Sequence, residues 1–247
     1  IEGTQAIIDA CRAHGVPKLV YTSTPSVIHA GGDLEGVDES LPYPEHFDAH
    51  YPETKAEAER RVLAANDESL STVALRPHLV WGPGDNHLLP RLVQRARKGV
   101  LKLPGADKLI DTVYIDNAAR VHLQALDALD SNPACHGKTY FISNDEPLPQ
   151  AEIIARLLEA VGIDARIRPI SPKTAAVAGS LAEWWWTRQK LASEPPVTRW
   201  SAEQLSTAHW YDISAAKRDL GYAAEVSIEE GLRRLRDHAR EHGVQTI

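Results

Sequence analysis

Tyr51-Pro52-Glu53-Thr54-Lys55 sets a phenol and an ammonium four residues apart. On a helix that spacing puts both side chains on one face. An ordinary tyrosine ionises near pH 10, and bringing it to about 7 takes about 3 units, or about 4 kcal/mol. A positive charge about 4 Å away, at an effective dielectric of about 20, supplies an interaction of that size. Lys55 can therefore tune Tyr51 for proton transfer, while a nearby hydroxyl holds a substrate oxygen in line. Thr24 is the candidate hydroxyl, with Ser23 as a structural neighbour. A Tyr and a Lys at this spacing also arise by chance, and an exposed helix pair is the competing reading. Context favours chemistry. Thr22-Ser23-Thr24 closes an apolar run, and parallel sheets bind their ligands at the carboxyl ends of such strands.

The elements around these residues follow from periodicity. Helices are expected over 4–14, 49–65, 88–98, 117–129, 149–161, 172–189, 214–220 and 227–242, with buried strands at 19–21, 71–75, 109–115, 138–142 and 165–170. Residues 29–46 read as loop, 81–85 as a turn, and Glu194-Pro195-Pro196 as a break. Strand and helix alternate through residue 142, and the remainder is mostly helical. Alternation of this kind predicts α/β architecture, a doubly wound parallel sheet with helices on both faces. A smaller, mostly helical region follows it. The nucleotide-binding part is expected over 1–146, with 81–109 contributing to the substrate side, and the substrate-binding region over 147–247.

Composition narrows the function. The 247 residues are 43% hydrophobic and carry a net charge of -7, so the chain has a sizeable core and no basic stripe for nucleic acid. Its two cysteines, Cys11 and Cys135, suit a reduced, cytoplasmic setting. The 11 histidines form no ligand motif, and His46 and His50 read as solvated. No stretch reaches the roughly 18 apolar residues of a membrane span. Methionine is absent and the chain opens Ile1-Glu2-Gly3-Thr4-Gln5, so a preceding segment is expected. A doubly wound sheet normally begins with a strand and a glycine-rich turn, which these residues lack.

Several segments, in order, carry a resemblance: Glu2–Gln5, Val20–Thr24, Tyr51 with Lys55, Leu75–Gly84, Tyr114–Ala118 and Gly137–Asn144. Together they are similar to the extended short-chain dehydrogenase/reductases, and within them to the 3β-hydroxysteroid dehydrogenase-like branch. The resemblance implies a Rossmann-type fold and a hydride exchanged between a nicotinamide cofactor and a ketone or secondary alcohol. It implies Tyr51 as proton donor, Lys55 on the nicotinamide ribose, and Thr24 as the catalytic hydroxyl. Pro77, His78, Leu79 and Val80 would line the nicotinamide, His78 as a spacer rather than an acid or base. NADP(H) is favoured, with NAD(H) as the alternative. Thr24–Val27, Leu63–Asp67, Gln204–Tyr211 and Ser227–Leu232 resemble, within that branch, the reductases of long-chain olefin biosynthesis, which implies a lipid-like substrate, a long-chain 2-alkyl-3-oxo acid reduced at its 3-ketone. A homodimer through helices 2–14 and 48–66 is implied, with other enzymes of that pathway as partners.

The branch also uses an Asn that would immediately precede Ile1, a glycine-rich loop for the pyrophosphate, and a residue that separates NAD from NADP. All three would lie ahead of Ile1, and without them no useful cofactor affinity is expected. The alternatives are a nucleotide-sugar epimerase, a sterol dehydrogenase and a non-catalytic dinucleotide sensor. Dehydration is disfavoured because Pro25-Ser26 follow Thr24 where dehydratases carry an Asp-Glu pair, and a sensor would not need Tyr51 and Lys55.

Other features have plain readings. Trp184-Trp185-Trp186 cannot all face one side of a helix, so at least one is expected to be exposed or to meet a partner. Core packing is the expectation for the triplet, with a lid over an acyl chain or a membrane contact as the functional alternative. Trp200 and Trp210 are expected in the core, Asp116-Asn117 as a helix cap, and Arg91, Arg95 and Arg97 as a solvated face.

Overall fold

The computed structural model describes residues 1–189, 191, 195 and 197–243. The chain runs α1 (Glu2–Ala13), β1 (Lys18–Thr22), a 3-10 turn (Pro25–Ile28), β2 (Leu34–Val37), α2 (His50–Ala64), β3 (Ser71–Pro77) and β4 (Val80–Trp81). It continues through α3 (Leu88–Ala96), β5 (Val100–Pro104), β6 (Leu109–Ile110), β7 (Val113–Tyr114), α4 (Ile115–Ser131), a second 3-10 turn (Pro133–Cys135) and β8 (Lys138–Ile142). The rest is β9 (Leu148–Pro149), α5 (Gln150–Ala160), β10 (Arg166–Ile170), α6 (Pro172–Gln189), α7 (Arg199–Gln204), β11 (His209–Tyr211), α8 (Ser214–Leu220) and α9 (Ile228–His242).

The central sheet is parallel in the order β1-β3-β8, with Tyr21 opposite Ala74 and Leu75 opposite Tyr140. Val73, Ala74 and Leu75 are fully buried, as expected for a strand covered on both faces. The architecture is the expected Rossmann-like α/β arrangement. Buried apolar side chains gather in three clusters. One surrounds the sheet and takes in Tyr211, Ile213 and Leu220. A second joins α3, β5, α5 and α9 through Leu89, Leu103, Leu157 and Leu235. The third packs Ile8 and Cys11 of α1 against Val62, Ala65 and Leu70. Both cysteines are free and buried.

Helix α2 is tied to β3 inside the protein. Glu59 is wholly buried and accepts two hydrogen bonds from Arg76, at 2.5 and 3.1 Å, and a third from the Tyr43 hydroxyl at 2.5 Å. This ion pair lies one helical turn beyond Lys55 and one residue before Pro77.

Several expectations are corrected. The 29–46 loop contains β2, which pairs with β11, a strand the sequence did not announce. Gly36 sits there at φ 64, and a Cβ on it would fall 2.6 Å from the Trp210 ring. Residues 100–104 form β5, parallel to β10. The expected 109–115 strand breaks into β6 and β7, because Asp111 and Thr112 turn inward to bind other segments. Asn117 does not cap α4, which begins two residues earlier with Tyr114 as its N-cap. Buried inside that helix, it donates to Asn144 Oδ1 at 2.9 Å and to the Val226 carbonyl at 2.7 Å. The tryptophan triplet does not enter a core: Trp184 is 61% exposed and Trp185 51%, because α6 packs its small residues, Ala175 and Gly179, inward. Trp200 and Trp210 are only partly buried. The expected break falls on Glu194 and Pro196, which lie outside the described residues, and Pro195 between them.

Candidate functional site

Strands β1 and β3 end side by side, and the chain leaves β1 with the Ser23 N–H donating to the Leu75 carbonyl at 2.6 Å. Thr24 then opens the 3-10 turn. Its hydroxyl oxygen accepts from the Ser26 N–H at 3.3 Å and lies 3.0 Å from the Ser26 hydroxyl. Val27 and Ile28 anchor the turn in the core that also holds Ala56 of α2. The turn therefore fixes Thr24 relative to the helix that carries Tyr51 and Lys55.

Lys55 Nζ donates to the Thr22 carbonyl at 2.6 Å and stands 4.7 Å from the centre of the Tyr21 ring. Burial pushes its ammonium below the usual lysine range, against the pull of Glu59. Tyr21 is pushed up to about 12 by burial, then by the charges of Glu59 and Tyr51, which keeps it neutral beside the cation. Tyr51 is 53% exposed, and among the described residues no hydrogen bond reaches its hydroxyl.

On the far side, Pro77 ends β3 and the His78 N–H donates to the Ile142 carbonyl at 3.0 Å. His78 Nδ1 donates to Asp111 Oδ1 at 2.6 Å, while Asp111 Oδ2 accepts from the Tyr211 N–H at 3.0 Å. Leu79 adopts φ 42, a left-handed conformation that leucine rarely takes and that often marks a functional turn. Val80 re-enters extended structure opposite Val113.

Thr24, Tyr51, Lys55, Pro77, His78, Leu79 and Val80 all border one cavity of about 430 Å³ at the carboxyl end of the sheet. Its wall is completed by residues that were not among the expected site residues: His29, Trp200, Gln204 and Tyr211. Gln204 and Tyr211 fall in a stretch where no helix or strand was expected, and His29 in one read as loop. Only Thr198 with Ser201, which form a capping box, could have announced α7. A second cavity of about 400 Å³ shares Leu79, Trp200 and Gln204 with the first. Leu88, Leu92, Ile153 and Leu157 make it largely apolar. Arg91 and Arg95 border it too, so part of the expected solvated face lines a cavity instead. Among the described residues, no three His, Cys, Asp or Glu side chains gather as a metal site, and no helix is long and apolar enough to cross a membrane.

A sequence profile described as the 3-beta hydroxysteroid dehydrogenase/isomerase family matches residues 1–170. The chain is 56% identical over 237 residues to the 2-alkyl-3-oxoalkanoate reductase of Stenotrophomonas maltophilia, covering 95% of this chain and 72% of that protein. It is 48% identical over 245 residues to the enzyme of the same name from Shewanella oneidensis, covering 96% of this chain and 63% of its relative. The decarboxylating sterol-4-alpha-carboxylate 3-dehydrogenase of Saccharomyces cerevisiae is 39% identical over 240 residues, 94% of this chain and 68% of that one. Among solved structures, UDP-glucuronic acid 4-epimerase from Bacillus cereus in complex with NAD superposes with a TM-score of 0.69 at 21% identity, over 97% of this chain and 67% of that one. The chain thus spans about two thirds of the length of these proteins.

Proposed function

Because the chain belongs to the 3-beta hydroxysteroid dehydrogenase/isomerase family, we propose that it reduces the 3-ketone of a long-chain 2-alkyl-3-oxoalkanoic acid to the 3-hydroxy acid, as a step in olefin biosynthesis. One observation carries this reading. Thr24, Tyr51, Lys55 and the Pro77–Val80 run come from separate stretches of the chain and border a single cavity. The adjoining apolar cavity suits an alkyl chain.

The donor set suits a nicotinamide dinucleotide: a half-buried ammonium, a phenol with no protein partner, and a backbone run that crosses the sheet end. Lys55 would hold its ribose, and Pro77, His78, Leu79 and Val80 its nicotinamide. When bound, the cofactor supplies the hydride that reaches the ketone carbon. Tyr51 gives a proton to the ketone oxygen, so that hydride and proton together make the alcohol. Thr24 donates a hydrogen bond to the same oxygen and keeps it in line. The Lys55 charge favours ionised Tyr51 and thereby lowers the cost of the proton's departure.

NADP(H) is the preferred cofactor in this reading. Residues 1–146 form the nucleotide side, 147–247 the substrate side, and 81–109 contribute to both. The protein works in the cytoplasm as a homodimer through α1 and α2, alongside other olefin-pathway enzymes. The test is spectrophotometric, on the full-length protein with NADPH or NADH and a 2-alkyl-3-oxo acid. Tyr51→Phe should lower kcat by about 100-fold or more, and turnover left intact in this variant overturns the mechanism.

A further inference from the structure

Four side-chain atoms of residues that border the candidate site lack partners, the Ser23 hydroxyl among them. Both ring nitrogens of His29 and the amide nitrogen of Gln204 are shielded from solvent and make no hydrogen bond. Both residues border the cavity that holds Thr24 and Tyr51. A buried polar group without a partner costs about 1–3 kcal/mol, so natural proteins seldom keep one without a use. Two of these residues, 175 positions apart, border the same cavity.

Their surroundings explain why nothing in the protein satisfies them. The His29 ring stands edge-on to His209, with centroids 4.9 Å apart, so its neighbour there is another ring. Burial lowers the His29 imidazole from its ordinary range, while the charges of Glu203 and Asp48 pull it back up. The neutral ring that burial favours can donate from one nitrogen. Gln204 lies at the junction, bordering both the first cavity and the apolar one.

The ketone oxygen is already provided for by Tyr51 and Thr24. A 2-alkyl-3-oxo acid carries one further polar group, a carboxylate two carbons from the ketone, and its remaining bulk is alkyl. We propose that His29 and Gln204 form the carboxylate-recognition wall of the site. The acid group is held there by N–H donors while an alkyl chain passes between Leu79 and Trp200 into the apolar cavity. The wall makes the site selective for β-functionalised acids over simple long-chain alcohols and ketones. This inference rests on the reductase reading above.

The test runs in the oxidation direction, where the substrates are chemically stable. Full-length wild type, His29→Leu, Gln204→Leu and Arg91→Leu are assayed with NADP⁺ or NAD⁺ on two compounds of matched chain length. One is a 2-alkyl-3-hydroxyalkanoate and the other the secondary alcohol lacking the carboxyl group. In His29→Leu and Gln204→Leu, kcat/KM on the acid should fall roughly 10- to 100-fold, chiefly through KM. The loss on the alcohol should be at least tenfold smaller. His29→Gln, which keeps a donor, should recover part of the loss on the acid. Equal losses on both compounds overturn the assignment, since damage to the fold or to catalysis would not discriminate. A selective loss confined to Arg91→Leu also overturns it and moves the carboxylate to α3. If wild type oxidises neither compound, the reductase reading fails and takes this assignment with it.

Discussion

His209 illustrates how the surroundings of one side chain set its behaviour. Burial, then the rings of His78 and His29, push its imidazole down to about 3. An unfolded histidine titrates near 6.5. Between those values the unfolded chain binds a proton that the folded chain refuses. This contribution to stability is therefore complete above about pH 6.5 and declines towards pH 3, by up to about 1.4 kcal/mol per pH unit. His209→Gln should flatten the decline, so that its melting temperature falls less than that of wild type between pH 6.5 and 4. Matching slopes for the two proteins would rule the effect out. At this scale the sequence was legible where residues sit close along the chain. Tyr51 and Lys55 share a helical face, and Thr24 closes an apolar run. His29, Gln204 and Asp111 were not legible, because each gains its meaning from a neighbour far away in sequence. Asp111, for example, binds His78 and the Tyr211 backbone.

The long elements were readable and the short ones were not. β3 announced itself as a run of apolar residues ended by proline, and α2 as a helix rich in Ala and Glu. By contrast, β2, β6, β7 and β11 are two to four residues long and exist because distant segments pair with them. No local period can encode such strands. The Glu59–Arg76 pair between α2 and β3 was invisible for the same reason, since it joins residues 17 positions apart on two different elements. Glu59→Ala leaves the Arg76 guanidinium buried without its partner, and should cost about 3–5 kcal/mol in stability. A denaturant melt measures this directly. Replacing both residues with apolar ones of similar volume should recover most of the loss, and a double variant as unstable as Glu59→Ala would refute that account.

Across the whole molecule, the cluster around the sheet and the cluster around α3, α5 and α9 are served by two cavities that share a wall. The candidate site residues border the cavity on the sheet side, and the apolar volume lies on the helical side. Each buried methylene is worth about 0.8 kcal/mol, so the depth of the second cavity should set the preferred chain length. Leu157→Trp fills that depth. In chain-length series, its kcat/KM should fall at least tenfold more for the longest substrates than for the shortest, and a uniform fall would separate the cavity from the chain. The buried ion pair of α2 and β3 has a consequence of a different kind, for how this protein can change over generations. A typical domain has about 5–15 kcal/mol of stability in total. Losing either partner alone would consume a large share of it, so ordinary drift stalls at Glu59 and at Arg76 unless both move together. The two positions should therefore change together or not at all, and Lys55 and Pro77 stand on the two elements that the pair locks in fixed relation.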